Sequence, residues 1–167
     1  MSSADGSRWP GLRMLNGTFL GTMSLSLLAC ASGEPSTCDG FDDRQLGITG
    51  EEYRPCAGEI LATLDSLEPQ LQALVAGGDA APDEDARDHY RALKEHLRRT
   101  GIEADYRSFE SSTVIVKWPD GATRQFNRAA FEAAVQYGAV LAYPNDDNLG
   151  QGVKAHEEAR RAYGQIQ

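Results

Sequence analysis

Residues 112–126, Ser112-Thr113-Val114-Ile115-Val116-Lys117-Trp118-Pro119-Asp120-Gly121-Ala122-Thr123-Arg124-Gln125-Phe126, are the stretch whose reading decides the fold. Val114, Val116 and Trp118 alternate with Thr113, Ile115 and Lys117, a period of two that reads as a half-buried strand. Pro119-Asp120-Gly121 then reads as a tight turn, Pro with its φ preset and Gly free to take positive φ. On this reading residues 122–126 return as the second arm of a hairpin. Residues 102–108 supply a further strand, which makes a three-stranded antiparallel meander.

Downstream of the hairpin, Asn127 is placed to cap a helix, with Phe126 and Phe131 as its hydrophobic staple. Phe131, Ala134, Val135, Gly138 and Ala142 give that helix a small-residue face suited to packing on the sheet. Residues 144–152 (PNDDNLGQG) read as a loop, and Asp146, Asp147 and Asn148 miss the spacing of a calcium loop. Residues 153–163 read as a short surface helix with Lys154/Glu158 and Glu157/Arg161 as i, i+4 pairs. His156-Glu157-Glu158 lacks the second His of a zinc protease helix and reads as a charged face.

Upstream, Thr49-Gly50-Glu51-Glu52 has the form of a capping box, with Ile48 and Tyr53 as its staple. Tyr53, Cys56, Ile60, Leu64, Leu67, Leu71 and Leu74 then recur every three or four residues as one buried face. Pro55 and Pro69 interrupt it, and a kink or two stacked segments are expected at Pro69. Gly77-Gly78 ends the element. Residues 85–100 predict a second amphipathic helix, stopped by Gly101, with Ala86, Tyr90, Leu93 and Leu97 inward. His89 and His96 on it lie about 10 Å apart along the axis, too far to share a metal. The whole predicts one α+β domain over residues 38–167: amphipathic helices, the meander, then C-terminal helices packed on one face of the sheet.

The N-terminus reads as an address. Arg8 and Arg13 precede residues 15–29, fifteen residues without charge that end in small side chains. That is the pattern of a signal peptide, and it is shorter than the ~20 apolar residues a spanning helix needs. Leu27-Leu28-Ala29-Cys30 resembles the lipobox of bacterial lipoproteins, with Leu three residues before the Cys and a small residue directly before it. The resemblance implies that residues 1–29 are removed and that Cys30 becomes the N-terminus. It further implies that Cys30 carries a diacylglyceryl thioether and an amide-linked acyl chain. Ala31 stands where Asp holds many such proteins at the inner membrane, so the resemblance leans towards the outer membrane, facing the periplasm.

Removing residues 1–29, with their two Arg and one Asp, leaves 138 residues and takes the net charge from −9 to −10. That acidity argues against nucleic-acid binding and offers no polybasic patch to anionic lipid. With Cys30 assigned to lipid, Cys38 and Cys56 remain as an even pair, and export favours a disulfide over two buried thiols. Residues 31–37 (ASGEPST) have a linker's composition and reach at most about 25 Å. Residues 38–47 read as Asx-rich turns rather than a calcium loop.

No cofactor, metal site or catalytic residue is identified in the body of the chain. The expectation is a lipid-anchored interaction or structural module of the cell envelope. Its partners would be the membrane, through the anchor, and an envelope protein or polymer. The alternative is a ligand groove between sheet and helices lined by Tyr106, Phe109, Trp118 and Tyr137. An envelope hydrolase would need Ser111 or Ser112 with His89 or His96, and neither Ser sits in a G-x-S-x-G frame.

Overall fold

The computed structural model describes residues 36–77, 82–106 and 112–167, all belonging to one unit, Glu34–Gln167. The segment expected to be a signal peptide, Cys30, most of the expected tether, Phe109 and Ser111 lie outside the described residues. Those residues form six α-helices: α1 (Gly50–Ala76), α2 (Glu84–Thr100), α3 (Ile102–Tyr106), α4 (Ser112–Lys117), α5 (Gly121–Ala142) and α6 (Asp146–Tyr163).

α1 begins where its cap predicts. The Thr49 hydroxyl accepts from the Glu52 amide at 3.3 Å, and Glu51 and Glu52 place negative charge on the first turn. Of the kink or two stacked segments expected at Pro69, the second is not taken: one helix runs through Pro55 and Pro69. Magnitudes explain why. A proline inside a helix costs about 3 kcal/mol, whereas each fully buried Leu returns about 1.5–3 kcal/mol. Leu64, Leu67 and Leu71, on both sides of Pro69, are all fully buried. α2 ends on Gly101 at φ 73°, a left-handed cap that a glycine supplies without steric cost.

The α+β expectation is overturned: no strand occurs among the described residues, and the meander is replaced by α3, α4 and the start of α5. Val114, Lys117 and Trp118 stand at i, i+3 and i+4, a helical face hidden inside the alternating pattern. These three are buried, while Ile115 is 51% and Val116 45% exposed. The turn residues change role as well. The Asp120 carboxylate accepts from the amides of Ala122 and Thr123, so Pro119-Asp120-Gly121 is a helix entry rather than a hairpin turn. The carbonyls of Val116 and Lys117 accept from the Gly47 and Ile48 amides at 2.9 Å. The loop before α1 thereby supplies the donors that the end of α4 lacks.

α5 therefore starts well before Asn127, which is 1% exposed inside the helix and accepts from the Tyr53 phenol at 2.7 Å. Residues 144–152 are likewise mostly helix. Asn145 caps α6 by accepting from the Asn148 amide, with Asp146 and Asp147 in the first turn. α5 and α6 pack extensively on each other, and the three residues between them make the pair a helical hairpin. α1 packs against α2, α5 and α6. Of the α5 face expected to pack on a sheet, Ala134 is buried and Gly138 lies against Tyr90 of α2, while Val135 and Ala142 are exposed; the face that meets other helices runs instead through Phe126, Ala130, Ala133 and Tyr137. At its N-terminal end the core closes with an aromatic group in which Tyr53 lies 4.7 Å from Trp118, 5.5 Å from Phe41 and 6.2 Å from Phe126.

Candidate functional site

Cys56 falls between Tyr53 and Ile60 on the apolar stripe of α1, so its sulfur points into the protein. There it is bonded to Cys38, with the two Cα atoms 4.7 Å apart and both residues fully buried. Further bonds fasten the same segment. One turn along α1, the Glu59 carboxylate accepts from the Ser36 hydroxyl at 2.8 Å and the Thr37 amide at 3.0 Å. From α2, Arg99 pairs with Asp39 at 2.7 Å and with Glu95 at 2.9 Å. Burial alone would raise the Glu59 carboxyl, but the bonds from Thr37 and Ser36 bring it below the ordinary carboxylate range.

His96, also on α2, completes this corner. Its Nδ1 is buried without a hydrogen-bond partner and lies 3.7 Å from a Glu59 oxygen, beyond hydrogen-bond reach. Burial lowers the imidazole's affinity for a proton, against the pull of Glu59. Cys38 Sγ, a Glu59 oxygen and a His96 nitrogen all lie within 4.8 Å of one another. They come from a turn, α1 and α2, and no local spacing in the chain announces them. While the disulfide stands, Cys38 has no thiolate to offer.

A second polar cluster lies between α1, α5 and α6. His156 is fully buried, with Nδ1 2.7 Å from Glu68 and Nε2 2.9 Å from Asp65. Arg160 pairs with the same Asp65 oxygen at 2.6 Å. The Tyr137 hydroxyl lies 3.2 Å from both Glu68 Oε2 and His156 Nδ1. Burial first, and the Glu68 charge second, push the phenol well above its ordinary range, so Tyr137 stays protonated and donates. The sequence reading places His156 on a charged surface face, which the burial corrects. The signal against that reading is a small-residue stripe at helical spacing, Gly152, Ala155, Ala159 and Ala162, that includes the histidine.

A third cluster supports the aromatic core. Asp105 pairs with Lys117 at 3.1 Å and accepts from the Trp118 indole at 3.0 Å, while Lys117 also donates to the Thr100 carbonyl.

The groove residues proposed from sequence have different surroundings. Tyr106 ends α3, and Phe109 lies outside the described residues. Trp118, 1% exposed, packs beside Phe41 and Tyr53, whereas Tyr137, fully buried, packs against His156 and Gly152. The sheet that was to form one wall of the groove is not present among the described residues. His89 faces Gln70 at 3.1 Å. A crevice of about 130 Å³ opens beside Tyr90, Leu97, Phe131 and Val135.

The described residues thus define a helical domain whose N-terminal edge is fastened by a disulfide and charged clasps. No protein-family model, curated protein or solved structure matches the chain.

Proposed function

We propose that this protein is an exported bacterial lipoprotein, held by acyl chains on Cys30, whose helical domain is an interaction or structural module at the envelope surface. The observation that carries the reading is the buried Cys38–Cys56 bond, because structural disulfides belong to oxidising compartments such as the periplasm. Cys38 follows the lipobox-like Leu27-Leu28-Ala29-Cys30 by only eight residues. The clasp would end the tether there and keep the domain within about 25 Å of the bilayer. No helix among the described residues is long and apolar enough to cross a membrane, so in this reading attachment falls to lipid. Two or more acyl chains anchor stably where one does not. Ala31 favours the outer membrane, facing the periplasm.

Contact with a neighbouring envelope protein or polymer has a surface to use. Leu46 is 66% exposed, beside Gly47, whose amide is bonded to Val116. Leu46, Ile115 and Val116 therefore present apolar side chains from adjoining backbone. Intact mass of the protein purified from membranes tests the anchor. The expected result is a chain starting at Cys30 with added acyl mass, and a Cys30→Ala chain that is unprocessed or released from the membrane. An unmodified chain retaining residues 1–29 overturns the proposal.

A further inference from the structure

The Cys38–Cys56 corner contains a set of donors whose geometry the clasp alone does not explain. His96 Nδ1 is buried with no hydrogen-bond partner, and it stops 3.7 Å short of a Glu59 oxygen that a proton could have bridged. That separation is too long for a hydrogen bond. It is the spacing expected of two ligands sharing one small cation. Metal–ligand bonds of about 2.0–2.3 Å in a tetrahedron put neighbouring donors roughly 3.3–3.8 Å apart. Cys38 Sγ, Glu59 and His96 fall within 4.8 Å of one another, and Cys56 Sγ is bonded to Cys38.

We propose that reduction of the Cys38–Cys56 bond converts this corner into a zinc site ligated by Cys38, Cys56, Glu59 and His96. A dithiol reductant delivers two electrons and leaves as its own disulfide, and both protein sulfurs become thiols. Zinc then displaces the two thiol protons to solvent. Two thiolates with an imidazole and a carboxylate are a donor set that suits Zn²⁺. Glu59 can keep its bonds to Ser36 and Thr37 while coordinating, because a carboxylate has about four lone-pair positions. The ligands come from three elements: the turn at Cys38, α1 through Cys56 and Glu59, and α2 through His96. Bound metal would therefore hold the same corner that the disulfide holds, and the clasp would survive a change of redox state.

The test uses the full chain with Cys30→Ser, so that Cys38 and Cys56 are the only cysteines. Oxidised and phosphine-reduced protein, freed of reductant without air, is titrated with Zn²⁺ against a chromophoric chelator. Reduced protein is expected to bind one Zn²⁺ per chain and the oxidised form none at the same chelator strength. His96→Ala and Glu59→Gln should each weaken binding by at least about tenfold, the scale on which even outer-shell partners of a metal site matter. The carboxamide introduced by Glu59→Gln can still accept from the Thr37 amide, so that variant keeps the clasp. Co²⁺ added to the unsubstituted reduced chain should give the visible bands of a tetrahedral site with sulfur-to-cobalt charge transfer, whether or not either variant folds. Equal zinc affinity of oxidised and reduced chain overturns the proposal. So does an octahedral cobalt spectrum, or folded variants that bind as tightly as the parent.

Discussion

His156 Nδ1 lies 2.7 Å from Glu68 Oε2, joining the last helix to the middle of the first across 88 residues of sequence. The Tyr137 hydroxyl reaches both groups at 3.2 Å, so α1, α5 and α6 meet at one buried polar point. Removing the imidazole leaves a void and deprives Glu68 of its closest partner. His156→Ala is expected to cost about 2–4 kcal/mol, by cavity formation and a broken buried network. A shift in urea midpoint measures it. A residue on an exposed charged face would change stability by no more than about 0.5 kcal/mol.

Reduction of the Cys38–Cys56 bond, in the absence of metal, should lower stability by about 3 kcal/mol, the entropy of closing a loop of this length. The two residues are 18 apart in sequence. Denatured, unreduced protein should show no reactive thiol at either position. Melting with and without reductant, in chelator, gives the energetic part.

Acid should loosen the clasp in successive steps. The folded His96 binds its proton less readily than the ordinary histidine value of 6.5 because of burial. The unfolded chain therefore takes up more protons, and stability falls as pH drops below 6.5 towards the folded value. Glu59 is also held below its ordinary 4.5, burial being outweighed by bonds from Thr37 and Ser36. Its contribution is present above 4.5 and lost as pH falls through the folded value. Glu95, lowered to about 2 by Arg98 and then Arg99, loses its contribution lower still. Urea midpoints from about pH 8 down to about pH 2 check this, and His96→Gln should abolish the upper step alone.

Asp120 and Gly121 separate a helix entry from a hairpin turn. Asp120→Ala removes the acceptor for two amides at the start of α5 and should cost about 1 kcal/mol. Gly121 has no positive φ, and an added Cβ would meet only Arg124 at 3.8 Å. Gly121→Ala should therefore stabilise by about 0.4–1 kcal/mol. A glycine required by a tight turn would respond in the opposite direction. Thermal melts of the two variants decide between the readings.

Gly150 and Gly152 sit two residues apart on α6 and should behave oppositely. A Cβ at Gly152 would lie 2.5 Å from the Tyr137 ring, whereas one at Gly150 meets nothing within 4 Å. Gly152→Ala is expected to cost about 1–3 kcal/mol through overpacking. Gly150→Ala should gain up to about 1 kcal/mol, the helical preference of Ala over Gly. Denaturant midpoints of both variants, measured side by side, give the comparison.

What the sequence by itself determined lies where local signals agree with one another. Thr49 before two glutamates, the seven-member stripe from Tyr53 to Leu74, and Gly101 after a charged amphipathic run each specify a helix and its end from neighbouring residues alone. The pairing of Cys38 with Cys56 was legible too, because setting Cys30 aside for the expected lipid leaves an even pair with one partner each. Tertiary structure decided the rest. Residues 112–118 satisfy a strand through Val114, Val116 and Trp118, and a helix through Val114, Lys117 and Trp118. The choice falls to the partners waiting for Lys117 and Trp118, namely Asp105 and the ring of Tyr53. His156 and His96 were illegible for the same reason. A histidine's role is set by the carboxylates that face it, and Asp65, Glu68 and Glu59 arrive from another helix only when the chain has folded.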